Sequence, residues 1–112
     1  MQQYTIWIDH SHATIIDLSS KDYVITDIEN ENKFHPSKEQ LKKFYHAVAL
    51  EVENAEKILL LGPGIAKEEF KNHCESHHPQ LAESIFKTKT TEADFDTKKI
   101  LHAWKEESRP TF

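Results

Sequence analysis

Apolar and polar residues divide the first part of the chain into three short segments. Each segment is rich in β-branched and aromatic residues, and short polar turns separate the three. This composition is typical of β-strands, and turns this short join strands that are antiparallel neighbours. The pattern therefore predicts a three-stranded antiparallel meander over residues 4–9, 13–19 and 22–28.

Helical and strand patterns alternate in the rest of the chain. Ser37 and Gln40 have the spacing of a capping box, and the apolar residues that follow recur at helical spacing as far as Val52. The continuous apolar segment 57–61 is typical of a central strand with parallel neighbours and both faces covered. The remaining predicted elements are a helix at 65–77, a short helical turn at 80–84, a half-exposed strand at 85–91 and a helix from Asp94 or Asp96 to Glu106.

The order of these elements, β-β-β-α-β-α-β-α, predicts the fold. Right-handed helical crossovers place the later strands parallel to the first strand. The simplest arrangement sets the fourth strand beside the first, which gives a mixed five-stranded sheet of order 3-2-1-4-5 with helices packed on it. We therefore predict an α/β fold of the ribonuclease H-like class, with a single domain over residues 1–107 and a loose C-terminal tail at 108–112.

Glycine usage excludes several function classes. The chain has 112 residues and two glycines, whereas an average chain of this length has about 8. Both glycines lie in Gly62-Pro63-Gly64, so neither a dinucleotide-binding fingerprint nor a phosphate-binding P-loop is present. The single cysteine, Cys74, excludes an internal disulfide and a multi-cysteine zinc site.

The charge balance limits nucleic-acid binding to a local patch. Lys and Arg number 14, Asp and Glu number 19, and the net charge is −5. Binding to a phosphate backbone needs a basic face, which such a chain can offer only locally. The first residues lack the pattern of a signal peptide, and no apolar segment approaches the ~20 residues of a membrane span. We expect a cytoplasmic protein that has no membrane partner.

The Gly62-Pro63-Gly64 turn allows two interpretations. It joins the central strand to a helix N-terminus, where backbone N–H groups can bind an anion and Lys67 can reach a bound phosphate. In the other interpretation it is a plain strand-to-helix turn, in which glycine supplies unusual backbone angles and proline starts the helix. The second is favoured, because Pro63 removes one of the donors that an anion site would use.

Three carboxylates raise the possibility of a metal-dependent nuclease. Nucleases of this topology hold two metal ions between clustered carboxylates, one of them on the first strand. Asp9 stands at the end of that strand, and Glu51 and Asp94 are candidates for the other positions. The central strand ends in Gly62 without a carboxylate, which argues against nuclease activity.

Eight histidines are present, and two of them have metal-ligand spacing. His73 and His77 stand at positions i and i+4 of a helix and share a face, as a metal-binding pair would. The favoured interpretation is that they are exposed surface histidines, and that the protein has no resident metal or cofactor. Cys74 falls on the apolar stripe of the same helix, which favours a buried structural cysteine.

Lysines cluster at the start of the first helix, on the last strand and on the last helix. Such clusters can form a modest RNA-facing patch, although the overall negative charge favours a solvated surface as the explanation. The first group is Lys38, Lys42 and Lys43. These three are the first candidates for contact with RNA.

Three segments of the sequence resemble those of a known family. The sequence W-I-D-H near the start, Asn54-Ala55-Glu56-Lys57 at the helix end, and the segment ILLLGPGIAKEEFKNHCESHHPQLAESIF are similar to the small bacterial proteins named "translational machinery protein". These in turn resemble the middle domain of the archaeal and eukaryotic class I release factor and of pelota. The stretch 57–70, with its Gly-Pro-Gly, Lys67 and Phe70, carries the similarity best.

The resemblance implies a ribonuclease H-like fold and a role in translation. In release factors this domain carries the Gly-Gly-Gln motif of peptide release before its first long helix. The matching residues 30–40 are NENKFHPSKEQ, which contain Gln40 but no glycine. We therefore expect a non-catalytic protein that binds the ribosome or tRNA in a rescue, hibernation or stress role. The alternatives are a metal-dependent nuclease and a protein-interaction module or homodimer.

Overall fold

The computed structural model describes residues 2–19 and 21–108, and it contains every element that the sequence predicts. The predicted helix at 80–84 is a short helix that begins one residue earlier. The elements are β1 (Gln3–Ile8), β2 (His12–Asp17), β3 (Val24–Glu29), α1 (Lys38–Glu51), β4 (Lys57–Gly62), α2 (Ala66–His77), α3 (Pro79–Ser84), β5 (Ile85–Thr90) and α4 (Thr97–Glu107). Within the described ranges, no helix is long and apolar enough to cross a membrane.

The five strands form one mixed sheet in the order β3-β2-β1-β4-β5. The pairs β1–β2 and β2–β3 are antiparallel, whereas β4 is parallel to both β1 and β5. This confirms the predicted α/β fold, including its strand order. The segment 57–61 is apolar without interruption because β4 is a central strand with parallel neighbours, and Ile58 to Leu61 are all fully buried.

Helices cover both faces of the sheet. On one face, α1, α2 and α3 pack against Ile6, Ile15 and Leu60. On the other, α4 packs Ile100 and Ala103 against a cluster of large apolar residues from three strands. That cluster consists of Trp7, Ile16, Leu59 and Leu61.

Helix capping fixes the ends of the first and last helices. The Ser37 hydroxyl accepts a hydrogen bond from the Gln40 N–H (3.1 Å), and the Gln40 side chain accepts one from the Ser37 N–H (2.9 Å). This is the predicted capping box. Asp96, rather than Asp94, caps α4 by accepting from the Lys99 N–H. The predicted tail begins at Ser108, which is the C-cap of α4; residues 109–112 lie outside the described residues.

The glycines and the proline of the Gly62-Pro63-Gly64 turn do not have the roles that the sequence predicts. Neither glycine has a positive φ, so unusual backbone angles are not the reason for them. A Cβ at position 62 would lie 2.2 Å from the carbonyl oxygen of Ile8, so β4 and β1 approach too closely for any side chain there. Pro63 does not start the helix either, because α2 begins at Ala66 with Ile65 as its N-cap.

A carboxylate joins three elements on the α1 side of the sheet. Glu69 of α2 accepts a hydrogen bond from the Tyr45 hydroxyl of α1 (2.7 Å) and contacts Nε2 of His10 (2.9 Å), just after β1. Burial raises the pKa of Tyr45, and its hydrogen bond to Glu69 adds to that rise. This contact sets the position of α1 against α2, and therefore that of the side chains that the two helices carry between them.

The two glycines should respond differently to replacement by alanine. Gly62→Ala places a methyl group against backbone and should lower the free energy of unfolding by about 1–3 kcal/mol or more. At Gly64 a Cβ meets nothing within 4 Å. Gly64→Ala should therefore be neutral or stabilising by up to about 1 kcal/mol. Urea unfolding followed by tryptophan fluorescence measures both, and equal effects would contradict the close approach at Gly62.

Removal of one hydroxyl tests the Glu69 contact. Tyr45→Phe should lower the free energy of unfolding by about 1 kcal/mol, because a part-buried carboxylate loses a donor. Tyr23 is 44% exposed, and its hydroxyl makes no hydrogen bond within residues 2–19 and 21–108. Tyr23→Phe is therefore the matched control and should leave stability unchanged. Thermal unfolding compares the two variants, and identical melting temperatures would show that Glu69 does not hold α1.

Candidate functional site

A groove between α1 and α2 brings together residues from two separate sequence predictions. Its volume is about 440 Å³, and its lining includes Lys42 and Lys43 from the lysine group and His73 and His77 from the histidine pair. Glu39, His46 and His78 complete the lining. We call this the α1–α2 groove. Lys38 stands at the first position of α1, outside the lining.

The lysines at the start of α1 form a group without ion pairs among the described residues. Lys38, Lys42 and Lys43 are exposed, and none has a carboxylate within ion-pair distance in the described part of the chain. Elsewhere, the described ion pairs of lysine are Lys33–Glu29, Lys87–Glu107, Lys89–Glu107 and Lys99–Glu92.

The two lysines of the last strand, β5, are neutralised by a glutamate. Lys87 and Lys89 both bind Glu107 of α4, at 2.6 and 3.0 Å. Hydrogen bonds from Lys87 and then Lys89 lower the pKa of Glu107. At the start of α1, by contrast, three lysine charges that are close together on one helix remain available to an anionic partner.

The Gly62-Pro63-Gly64 turn does not have a free lysine ammonium group for an anion. The Lys67 side chain, expected to reach a bound phosphate, is buried at 4% exposure, and its ammonium donates to the carbonyl oxygen of Gly64. An anion at this helix N-terminus would have to draw Lys67 out of that contact. Gly62, Pro63 and Gly64 form a structural turn in which Gly62 allows the close packing of β4 on β1.

Asp9 is the first carboxylate of the nuclease hypothesis. Its side chain accepts hydrogen bonds within the β1–β2 turn. One of its oxygens accepts hydrogen bonds from the backbone N–H groups of Ser11 and His12, both at 2.8 Å, and from the Ser11 hydroxyl at 2.9 Å. This is the usual way in which an aspartate stabilises a tight turn. Asp9 therefore has a structural role that explains its presence without a metal.

Glu51 and Asp94 do not join Asp9. Glu51 is the last residue of α1, and the loop that follows is bound to the start of β1, because the Glu56 N–H donates to the Gln2 carbonyl oxygen (2.8 Å). Asp9 follows the opposite end of that strand, roughly 16 Å away along an extended chain. Asp94 lies exposed in the loop after β5, and β4 separates β5 from β1.

Three histidines from three positions in the fold form a cluster on the wall of the α1–α2 groove. His46 comes from α1, His73 from α2 and His78 from the junction of α2 and α3, and one ring nitrogen of each lies within 4.8 Å of the others. Metal ions are commonly held by three or more His, Cys, Asp or Glu side chains. Among the described residues, His46, His73 and His78 form the group of this kind whose ligand atoms are close enough together. We call it the histidine cluster.

The rings of the histidine cluster contact one another directly. His46 Nδ1 and His78 Nε2 are 3.3 Å apart, at hydrogen-bond distance, and their rings are stacked. His73 is half-buried rather than exposed, and burial, followed by the charges of His77 and His78, lowers its pKa to about 4. A low pKa keeps the imidazole neutral at pH 7, the form that binds metals.

Sequence spacing identified only part of this cluster. His73 and His77 were the predicted pair, and their rings do lie 4.7 Å apart, but His77 is not one of the three clustered ligands. His46 lies on another helix, so no local spacing could connect it with His73. His78 precedes Pro79, which was the only sequence signal that a helix junction would fix its position. The adjacent Cys74 is buried, and burial raises the pKa of its thiol to about 12, as expected for a structural cysteine.

An exposed aromatic residue stands beside the unpaired lysines. Phe34 is 87% exposed, in the loop between β3 and α1. The Asn32 side chain orders this loop by accepting from the N–H groups of Phe34 and His35 and donating to the His35 carbonyl oxygen. Sequence analysis missed Phe34, because an isolated phenylalanine in a polar segment gives no sign that it points outward.

The comparisons with known proteins agree with this fold. No family model matches the sequence, and no curated protein matches it. Among solved structures, Pelota from Archaeoglobus fulgidus is 16% identical with a TM-score of 0.70, over 95% of this chain and 31% of that chain. The archaeal translation termination factor aRF1 is 15% identical with a TM-score of 0.63, over 97% and 35%. Dom34 from S. cerevisiae is 16% identical with a TM-score of 0.64, over 92% and 32%.

These similarities are structural rather than sequence-based. The chain spans about one third of the length of each of the three proteins. At such identities a similarity shows the fold, and it bears out the expected resemblance to a domain of release factors and pelota. The described chain therefore has the fold of one domain-sized part of Pelota, Dom34 and aRF1.

Proposed function

We propose that this protein is a non-catalytic, cytoplasmic member of the small bacterial "translational machinery protein" type that binds ribosomal RNA or tRNA. The contact surface is the RNA face, which we define as Phe34, Lys38, Lys42 and Lys43. The observation that carries the proposal is that three exposed lysines, grouped within two turns of one helix, have no carboxylate at ion-pair distance within the described residues.

Electrostatics favours this surface over others. The protein carries a net charge of −5, so most of its surface repels a phosphate backbone. Three unpaired ammonium groups within two turns of one helix make a local exception, because no carboxylate of residues 2–19 and 21–108 lies at ion-pair distance to compete with phosphate for them. Each phosphate neutralised in this way adds affinity through the release of counterions.

Phe34 adds a second mode of contact. Unstacked bases of RNA bind by stacking on exposed aromatic side chains, which are commonly found next to basic groups. Phe34 stands four residues before Lys38, in a loop that the Asn32 side chain orders. Phe34 is 87% exposed, so its ring is accessible for stacking with a base.

The structural relatives support a role in translation. aRF1 is an archaeal translation termination factor, and Dom34 is a translation termination-like factor involved in RNA quality control pathways and interacting with Hbs1. Residues 30–40 lack the Gly-Gly-Gln motif that release factors carry at the matching place. We therefore propose a rescue, hibernation or stress role rather than peptide release. The nuclease alternative loses its basis, because Asp9 is bound within a turn and Glu51 lies toward the far end of β1.

Charge reversal on the RNA face tests the proposal. The fraction of the double variant Lys42→Glu/Lys43→Glu that co-sediments with ribosomes should be lower by about tenfold or more. The double change should also reduce the salt dependence of RNA binding by roughly one phosphate contact per lysine. Phe34→Ala should weaken binding with little change in salt dependence, because stacking releases no counterions.

The matched control makes the same charge change elsewhere. Lys21 is in the β2–β3 turn and Lys105 is on α4, which covers the opposite face of the sheet. Lys21→Glu/Lys105→Glu should bind ribosomes as the parent protein does. Equal losses in the two double variants would mean that net charge, and not the RNA face, governs binding.

A second candidate function is supported by the sheet edge. β3 is an edge strand, and its first residues Val24 and Ile25, with the preceding Tyr23, are all more than 40% exposed. Exposed edge strands with apolar side chains pair readily with another chain. This observation favours the homodimer or interaction-module alternative.

Light scattering distinguishes this second candidate. Pairing between β3 strands should give twice the monomer mass of 13.1 kDa. Val24→Lys, which places a charge on the edge, should then restore the monomer. A monomeric parent protein at high micromolar concentration would rule out self-association through β3.

A further inference from the structure

The histidine cluster has the composition of a transition-metal site. It consists of three imidazoles, and imidazole nitrogen is a preferred ligand of zinc, copper, nickel and iron but not of magnesium or calcium. Its members come from α1, α2 and the α2–α3 junction, so the packing of separate helices brings them together.

We propose that His46, His73 and His78 bind a zinc-like divalent ion, with the fourth tetrahedral position open to the α1–α2 groove. Sites with three protein ligands and one open position bind a water or another small ligand at the fourth place. This inference does not depend on the proposed RNA contact.

The distance between two of the nitrogens already fits tetrahedral coordination. Two zinc–nitrogen bonds of about 2.0–2.1 Å at the tetrahedral angle place their nitrogens roughly 3.3–3.4 Å apart. His46 Nδ1 and His78 Nε2 are separated by 3.3 Å. The third nitrogen lies within 4.8 Å of both, so each of its separations must shorten by at most roughly 1.5 Å. Rotation of an imidazole about its soft terminal torsion supplies a movement of that size.

The backbone fixes one ligand and leaves the others adjustable. The His78 N–H donates to the Cys74 carbonyl oxygen (2.7 Å), and the His78 carbonyl oxygen accepts from Ala82 (3.0 Å). Pro79 restricts the backbone of the residue before it, which further holds His78 in place. His46 and His73 lie on helices that the Tyr45–Glu69 contact keeps together.

A second observation points to a ligand at this place. Nε2 of His73 is buried and has no hydrogen-bond partner within the described residues. Buried polar atoms without partners are rare because each one costs about 1–3 kcal/mol. A metal ion bound to this nitrogen would remove that cost.

Charges around the groove oppose and assist the ion. Lys42 and Lys43 line the groove and repel a cation, whereas Glu39 lines it with the opposite charge. The balance predicts weaker binding than in a closed structural zinc site. It also favours an anion or hydroxide, rather than a neutral molecule, in the open fourth position.

The test titrates tag-free protein with Zn²⁺ by calorimetry and with Co²⁺ by visible absorption. We expect one ion per chain, and for Co²⁺ the intense visible bands of a tetrahedral site. His46→Gln, His73→Gln and His78→Gln should each weaken binding by about tenfold or more, at least the loss typical of residues that only support a ligand. His35→Gln and His102→Gln change histidines outside the groove and should bind as the parent protein does.

Several results would overturn the proposal. They are the absence of saturable one-to-one binding, equal affinity in the His46→Gln and His35→Gln proteins, and a cobalt–thiolate band that reports Cys74 as a ligand. His46 is exposed, so His46→Gln keeps the test valid if the half-buried His73 proves necessary for folding. Circular dichroism of each variant establishes that it is folded before titration.

Discussion

The close parallel packing of β4 between β1 and β5 is the constraint on which the rest of the structure depends. Every side chain of β4 from Ile58 to Leu61 is buried, so both faces of the sheet centre must be covered. That requirement accounts for helices on both sides. It also accounts for Gly62, because the last residue of the strand lies against the carbonyl oxygen of Ile8, where a side chain cannot fit.

The face of the sheet on which each helix packs decides which polar groups come together. α1 and α2 lie on the same face, and Glu69 binds Tyr45 and His10 where these two helices meet the end of β1. The α1–α2 groove lies between the two helices. The histidine cluster and two of the unpaired lysines therefore line one surface, although they are far apart in the sequence. α4, alone on the other face, uses Glu107 to neutralise the lysines of β5.

The two proposals rest on different physical grounds and concern adjacent parts of the same surface. The RNA face depends on charge that has no intramolecular partner, together with an exposed ring. The metal site depends on three imidazoles, with one pair of ring nitrogens 3.3 Å apart and all three nitrogens within 4.8 Å of one another. Lys42 and Lys43 belong to the first and weaken the second, so a bound ion and a bound phosphate would affect each other through those two side chains.

Local patterns in the sequence determined the elements and the strand order. Alternation, the Ser37–Gln40 capping box and the continuous apolar segment 57–61 act within a few residues, and short turns and right-handed crossovers leave few topologies. The sequence also indicated the lysine group and one member of the histidine cluster, His73, since residues one helical turn apart share a face.

Only the tertiary structure decided which candidates meet. Asp9 and Glu51 belong to elements whose relative positions no local pattern specifies, and the fold separates them. Lys67 is buried against Gly64, and His46 comes to lie beside His78 because two helices pack on one face. These outcomes arise from contacts between residues distant along the chain, whose energies depend on packing and burial rather than on sequence spacing.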